Sequence, residues 1–531
     1  MKKAKAFLGV VIVATALVGV IAATGSTAQA ATGNTFKVGM EAAYMPYNWT
    51  QNDNRNGAVS IDGVTGQYAN GYDVQVAKQI AKYLGKDLVV VKTSWDGLLP
   101  ALTSGRIDAI VAGMSPTAER RQQIDFTDSY YSPNVVVMVQ RHGKYADAIS
   151  LKDFSGAKIT AQLGTFHYDI ISQIPGVNKQ LASRDFSSMR VALLSGAIDG
   201  YVAEQPEGLT AEAANSNFKM IEFADGQGFQ LDPAEQQVAI GVKKGDPLAS
   251  QINQWLATFG SSDREKLMND MIKIQPSVKT VNTWWGQITG IIRDNGGQFL
   301  RGAGMTLFIS LIGTIAGLLI GLLIGIYRTV PKIKNKLGAI LHKIFGWFLS
   351  AYIEIFRGTP MIVQAMVLYY GLALAFGISI DRLAAALLIV SINTGAYMAE
   401  IVRGGIFAVD KGQFEAAQAL GMTHLQTMRK IILPQVLRNI LPATGNEFVI
   451  NIKDTSVLSV IAVSELFFQG TTIAQQNFMY FQTFAVICTI YFVLTFSVTR
   501  ILRWIEHRMD GSATYTVIRN QMQIKKLGTR V

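Results

Sequence analysis

Glu415, Ala416, Ala417, Gly421, Ile431, Leu433 and Pro434 form one spaced pattern with polar flanks, set between strongly apolar segments. The chemistry it permits is mechanical. Gln413–Leu420 is rich in helix formers, and the small Ala416 and Ala417 let another surface approach closely. Gly421 permits the left-handed backbone that ends a helix. Thr423-x-x-Gln426 is a capping box that opens a second helix. Leu433-Pro434 predicts a kink where the chain leaves the loop. The result is a short helical elbow able to pass force to a partner without internal slack. Other chemistries find no support. Cys488 is the single cysteine, so neither an intrachain disulfide nor a cysteine metal site is available. His142 and His167 sit in no metal or catalytic pattern, and no Gly-x4-Gly-Lys-Ser/Thr phosphate loop occurs.

The elements around the elbow divide the chain in two. Residues 1–284 carry 26 basic and 26 acidic side chains; residues 285–531 carry 22 and 11, which accounts for the whole net charge of +11. The first part reads as a soluble domain and the second as a membrane domain with basic loops, so the basicity does not point to nucleic acid. Lys2, Lys3 and Lys5, the apolar run to Ala23, and Ala28-Gln29-Ala30 predict a signal peptide over 1–30. Beyond it, strand candidates Phe36–Met40, Leu88–Val91 and Ala109–Ala112 alternate with helical patterns at Gly71–Leu84 and Leu98–Thr103. A similar rhythm returns over Lys158–Val202. Two such α/β lobes leave a cleft between them, the usual seat of a small ligand. After Arg301 come five apolar stretches: up to Arg328, Ile344–Phe376, Leu383–Ile401, Leu441–Leu466 and Phe478–Val498. Each is long enough to span a bilayer. Arg328, Lys332, Lys334, Lys336 and Lys343 crowd the first connecting loop and place it in the cytoplasm, with the soluble domain outside. The elbow between spans three and four then also lies inside.

The elbow's spacing resembles the loop by which ABC importer permeases dock onto a separate ATPase. Arg357-Gly-Thr-Pro360, Asn393-Thr-Gly-Ala-Tyr397, Glu400, Arg403-Gly-Gly405 and Lys453-Asp-Thr-Ser456 resemble the permeases of polar amino-acid importers of this class. The resemblance covers about residues 300–505. It implies that Glu415, Ala416, Ala417 and Gly421 face the ATPase.

Residues 36–275 resemble the extracytoplasmic receptors of the same importers. The resemblance rests on Gly71-Tyr72-Asp73, Trp95-Asp96-Gly97-Leu98-Leu99-Pro100, Ser104-Gly105-Arg106-Ile107-Asp108, Ala112-Gly113-Met114-Ser115-x-Thr117-x-Glu119-Arg120 and Asp125-Phe126-Thr127. It implies that Arg120 takes the α-carboxylate of an amino acid through its planar fork, with Ala112, Gly113 and Ser115 beside it. Glu204 stands where the family usually has Asp and would take the α-ammonium from the other lobe. Tyr44 and Trp95 match the aromatic positions that sandwich the ligand side chain, and Glu41 the acid that meets its far end. Gln162 and Thr165 match ligand-touching positions of the second lobe, with Phe166 where a small residue is common. Asp73 and Asp108 read as structural caps or strand-end residues.

The expected architecture is therefore a two-lobe α/β periplasmic-binding-protein-like domain followed by an all-α membrane domain of about five helices, like a type I ABC importer permease. The expected divisions are a signal peptide (1–30), a receptor domain (31–280), a linker (281–300), a permease domain (301–510) and a cytoplasmic tail (511–531). The expected function is uptake of a cationic amino acid (lysine, arginine or ornithine), with glutamine the alternative. The chain itself is expected to be no enzyme and to hold no metal. ATP and magnesium belong to a separate ATPase, two copies of it serving a homodimer in a bacterial cell membrane. A ligand-gated channel would need its pore inserted within the lobes, whereas here the spans follow the receptor. An enzyme on this scaffold, such as a cyclic-acid dehydratase, would need a general acid or base over a substrate carbon, and the candidates read as zwitterion binders.

Overall fold

The computed structural model describes residues 34–183, 185–231, 236–276, 283–330 and 335–509. The expected signal peptide and cytoplasmic tail lie outside the described residues.

Its mostly buried positions make Thr35–Met40 an inner strand of the first lobe's sheet. It pairs in parallel with Asp87–Lys92 on one side and Ala109–Ile110 on the other. Val238–Lys243 and Ile124–Tyr131 then close the sheet in antiparallel fashion. Helix Tyr72–Tyr83 lays Val74, Ala77, Ile80 and Ala81 on this sheet, the face its 3.6-residue period predicts. The second lobe repeats the plan with Lys158–Thr160 between Asn178–Lys179 and Gly200–Glu204, all parallel. Val135–Gln140 and Phe218–Ile221 complete it antiparallel. Helix α1 (Phe186–Leu194) packs on this lobe, with the Asp185 carboxylate accepting from the Ser188 amide at 2.8 Å as its cap. One corner recurs in both lobes: Asp108 accepts from the Lys37 amide, and Asp199 from the Lys158 amide, each at 2.8 Å. Asp108 is thus a strand-end residue. The chain crosses between lobes after Tyr131 and returns before Val238.

The membrane domain holds α2 (Trp284–Arg328), α3 (Lys336–Gly358), α4 (Arg382–Phe407) and, at its end, α8 (Tyr480–Met509), each long and apolar enough to cross a bilayer. Between α4 and α8 lie the elbow helix α5 (Lys411–Ala419), then α6 (Leu433–Asp454) and α7 (Leu466–Asn477). The run His424–Ile461 meets α7 at a 57° bend, and the pair makes a fifth span if counted as one. With 45 residues, α2 is about 67 Å long. It far exceeds the roughly 30 Å hydrocarbon core, so residues 284–300, expected as linker, form its first turns. The expected second span, Ile344–Phe376, is in fact two pieces. Pro360 has no amide hydrogen to continue the helix, so α3 ends at Gly358 and shorter helical pieces run from Met361 to Phe376. The expected fourth span, Leu441–Leu466, runs through α6 and ends at the bend before α7.

A four-residue glycine ladder brings α2 and α4 together. A Cβ added to Gly313, Gly317, Gly321 or Gly325 would lie 2.4–2.7 Å from Val390, Thr394, Met398 or Val402 respectively. Small residues at this spacing let helix backbones approach, which is how membrane helices pack without a hydrophobic driving force. Asn451 of α6 adds hydrogen bonds to Thr314 (2.8 Å) and Thr394 (3.0 Å) in the same core.

The receptor domain rests on one end of the membrane domain. Arg106 donates to the carbonyls of Tyr369 (2.7 Å) and Ile380 (3.2 Å), and Gln67 to Gln469 (2.7 Å). Arg382, the first residue of α4, donates to the Asp62 carbonyl at 3.1 Å. The far end of α4 leads into α5, so the helix separates receptor and elbow by its full length, about 39 Å for 26 residues.

Candidate functional site

The cleft gathers residues from both lobes at element ends. Ser94 precedes the helix Trp95–Thr103 and turns the Trp95 ring into the cleft. Thr117 caps the short helix Ala118–Gln123, accepting from the Arg120 amide and so setting Arg120 on its first turn. The Arg120 guanidinium donates to the Ser115 carbonyl at 2.8 Å and, across the cleft, to the Gly164 carbonyl at 2.6 Å, and it lies 5.1 Å from the Trp95 ring. From the second lobe, Glu204 ends the strand Gly200–Glu204 with only 1% of its surface exposed. The Tyr44 hydroxyl donates to Glu204 at 2.8 Å. The Thr165 hydroxyl donates to the Gln162 carbonyl at 2.7 Å, which fixes the loop before the helix Phe166–Ile170.

Tyr44, Trp95, Gly113, Ser115, Arg120, Gln162, Thr165 and Glu204 all line one cavity. Glu41 and Ala112 do not: Ala112, next to Gly113, is buried, and the Glu41 carboxyl accepts from the Trp95 amide. Two further residues complete the lining, His167 and Phe186. Phe186 stacks flat on Tyr44 with ring centres 4.7 Å apart. His167 is buried with its Nε2 3.9 Å from Glu204, and neither ring nitrogen has a hydrogen-bond partner among the described residues. The cavity between the jaws is narrow, with Arg120 reaching across it to the Gly164 carbonyl. Gly113, with φ +61, lets the Tyr44 ring approach; a Cβ there would lie 2.8 Å from it.

Burial dominates the electrostatics. It lifts Glu204 to about 7, against the hydrogen bond from Tyr44, with Asp73 and Glu207 adding repulsion. It lowers Arg120 to about 10. His167 falls to about 3 through burial and the nearby Arg120 charge, so its imidazole is neutral. Glu41 rises to about 8 by burial and the neighbouring carboxylates of Asp185 and Asp96, with Lys92 opposing. A cationic fork, a buried carboxylate on the facing lobe and an aromatic wall between them suit a zwitterion.

The second constellation is the elbow. Gly421 has φ +71, and the Thr423–Gln426 capping box is formed on both sides. Glu415, Ala416 and Gly421 are exposed, as are Leu420 and Leu425, whereas Ala417 is fully buried against its own domain. The kink expected at Leu433-Pro434 is taken up by a wider helical turn over Met428–Ile432, ahead of the proline.

Residues 317–511 match the family described as binding-protein-dependent transport system inner membrane component. Residues 36–270 match the bacterial extracellular solute-binding proteins, family 3. The glutamine transport system permease protein GlnP of Escherichia coli (strain K12) is 41% identical over 215 residues, 40% of this chain and 92% of that protein. The chain belongs to the amino-acid ABC transporter permeases. It carries a solute-binding domain fused ahead of the permease domain. The arginine transport system permease protein ArtQ of Bacillus subtilis (strain 168) is also similar, 35% identical over 168 residues, 32% of this chain and 77% of that protein. A solved substrate-binding protein of an amino acid ABC transporter is 27% identical, covering 45% of this chain and all of that one, at a TM-score of 0.38.

The residues that sequence reasoning missed in the cleft, His167 and Phe186, both come from the second lobe. Their sequence signal is faint: both stand at the first turn of a helix that opens toward the cleft.

Proposed function

We propose that this chain imports cationic amino acids such as lysine, arginine or ornithine, driven by a separate ATPase that engages the exposed elbow around Glu415, Ala416 and Gly421. The observation that carries the substrate is the charge around Glu41, whose carboxyl accepts from the Trp95 amide. Asp185 and Asp96 repel it, and Lys92, lowered to about 7 by burial, offsets them only in part. A ligand cation reaching past the Trp95 ring would relieve that repulsion, and the ring face would attract it. Arg120 and Glu204 would hold the α-carboxylate and α-ammonium, with Ser115, Gln162 and Thr165 beside them.

Glutamine is the second reading. It is favoured by the value of about 8 at Glu41, which keeps that carboxyl largely protonated at neutral pH and able to donate to a side-chain amide. Binding of arginine, lysine and glutamine to the full chain in lipid nanodiscs, by titration calorimetry, separates the two. Under the cationic reading Glu41→Gln weakens arginine and lysine at least tenfold and glutamine less than threefold. Equal losses would remove Glu41 from specificity.

In the cell we place the receptor domain outside and the elbow in the cytoplasm, because the basic loops lie on the elbow's side. We keep the divisions read from the sequence, receptor over 31–280, linker over 281–300 and permease domain over 301–510, with the linker stretch opening α2. About five spans in one chain do not enclose a two-fold pathway, so the working unit is a homodimer with two ATPases, which bring ATP and magnesium.

A further inference from the structure

Among the receptor's contacts with the membrane domain, one short stretch meets both lobes. On the first lobe, Lys92 donates to Thr472 of α7 at 2.8 Å, and its ammonium lies 5.1 Å over the Phe468 ring. On the second lobe, Ser187 of α1 is hydrogen-bonded to Tyr480, the first residue of α8. The Arg190 guanidinium of the same α1 lies 4.5 Å over the ring of Phe478. Thus α7 and its turn into α8 touch both jaws of the cleft.

The turn is under strain where it meets the second lobe. Phe478 has φ +55, a left-handed conformation that a bulky aromatic residue adopts only when its surroundings impose it. Its anchor is firm: Arg190 forms a buried ion pair with Glu207 at 2.6 Å, and Glu207 also accepts from Tyr201. Beside Ser187 stands Phe186, stacked on Tyr44, which in turn donates to Glu204. A continuous run of contacts therefore joins Tyr480 to the carboxylate at the heart of the cavity.

We propose that Phe478 and Tyr480 are positioning residues for ligand release: they hold α1, and so the second lobe, against the first, and a shift of the α7–α8 turn loosens the closed cleft. The ring of Phe478 supplies the grip on Arg190 and the hydroxyl of Tyr480 the grip on Ser187. This rests on the cavity being the amino-acid site.

The test is the dissociation rate of the tighter of radiolabelled arginine and glutamine from the full chain in nanodiscs. Tyr480→Phe and Ser187→Ala should each speed release about threefold or more, and the double variant no more than either alone, as for two residues in direct contact. Phe478→Gly accepts the left-handed backbone and removes the ring; it should also speed release while leaving the melting temperature within a degree or two. Multiplying effects in the double variant, or rates within 1.5-fold of the parent in all three, would overturn the proposal. Arg120→Ala is the separate arm. If it retains binding, the assignment of the cavity fails; if it loses binding while the double variant multiplies, only the release role fails.

Discussion

Tyr44 and Glu204 meet across the cleft at 2.8 Å although 160 residues separate them, one from each lobe. The contact ties the aromatic wall directly to the carboxylate proposed for the ligand's ammonium. Tyr44→Phe keeps the stack on Phe186 and removes only the donor. A hydrogen bond to a charged group contributes roughly 1.5–3 kcal/mol, so the variant should bind amino acid about tenfold or more weakly. Calorimetry on the full chain measures this; affinity within twofold of the parent would show that the bond does not support closure.

The same carboxylate predicts a pH dependence. Glu204 stands at about 7 in the closed cleft, above its ordinary 4.5, chiefly through burial. A carboxyl raised in this way holds a proton as pH falls through 7, and a protonated Glu204 offers an ammonium only a neutral carbonyl in place of a charge-assisted acceptor. Amino-acid affinity should be flat above pH 8 and fall toward pH 6, by up to about tenfold per unit. His167, at about 3, stays neutral over that range and adds nothing. Glu41, at about 8, and Asp73, raised to about 6 by burial and close enough to repel Glu204, also titrate in this range. Glu41→Gln should therefore retain the step near 7, and Glu204→Gln should abolish it. A step lost with Glu41 instead would reassign it.

The sequence made the lobes, the elbow and most of the cavity legible because each rests on local pattern. The strand and helix periods place Trp95 and Arg120 at element starts, and Gly421 and the Thr423–Gln426 box mark the elbow's turn by backbone chemistry alone. What stayed hidden depends on long-range geometry. Phe186 and His167 enter the cavity from the second lobe. Glu41, expected at the ligand's far end, does not line the closed cavity; its carboxyl accepts from the Trp95 amide and feels Asp185, Asp96 and Lys92. Pro360 was visible, but hydropathy ran on past it, so two helical pieces read as one span. Gly313, Gly317, Gly321 and Gly325 carried a plain four-residue period whose meaning appears only against α4.

That ladder is testable. A Cβ at Gly321 would lie 2.5 Å from the Met398 Cβ and 2.6 Å from its backbone carbonyl carbon, neither of which can rotate away. Gly321→Val should force α2 and α4 apart and lower the melting temperature of the detergent-solubilised chain by several degrees, or abolish its accumulation. Gly304→Ala, on the same helix with nothing within 4 Å, should leave it unchanged. Equal stability of the two variants would mean that the helices pack without the ladder.

Gly421 gives the sharpest test of the elbow. It sits at φ +71 between α5 and the Thr423 cap, and a Cβ added there would meet nothing within 4 Å. Substitution is therefore resisted by the backbone and not by crowding, at a cost of about 1–2 kcal/mol for an ordinary L-residue. Asn tolerates the left-handed region better than Ala, because its short polar side chain bonds locally. If the turn's shape transmits force, uptake into proteoliposomes with the cognate ATPase should fall in the order Gly, Asn, Ala. Asp also tolerates the turn better than Ala, but it adds a negative charge beside the exposed Leu420, on the face that a partner must cover. Gly421→Asp should thus uncouple ATP hydrolysis from uptake more severely than its backbone strain explains. Amino-acid binding should survive in every variant, since α4 separates the elbow from the cleft. Normal uptake by Gly421→Asp would refute docking at this loop, and uptake by Gly421→Ala equal to that of Gly421→Asn would show that charge, and not backbone shape, is what the partner reads.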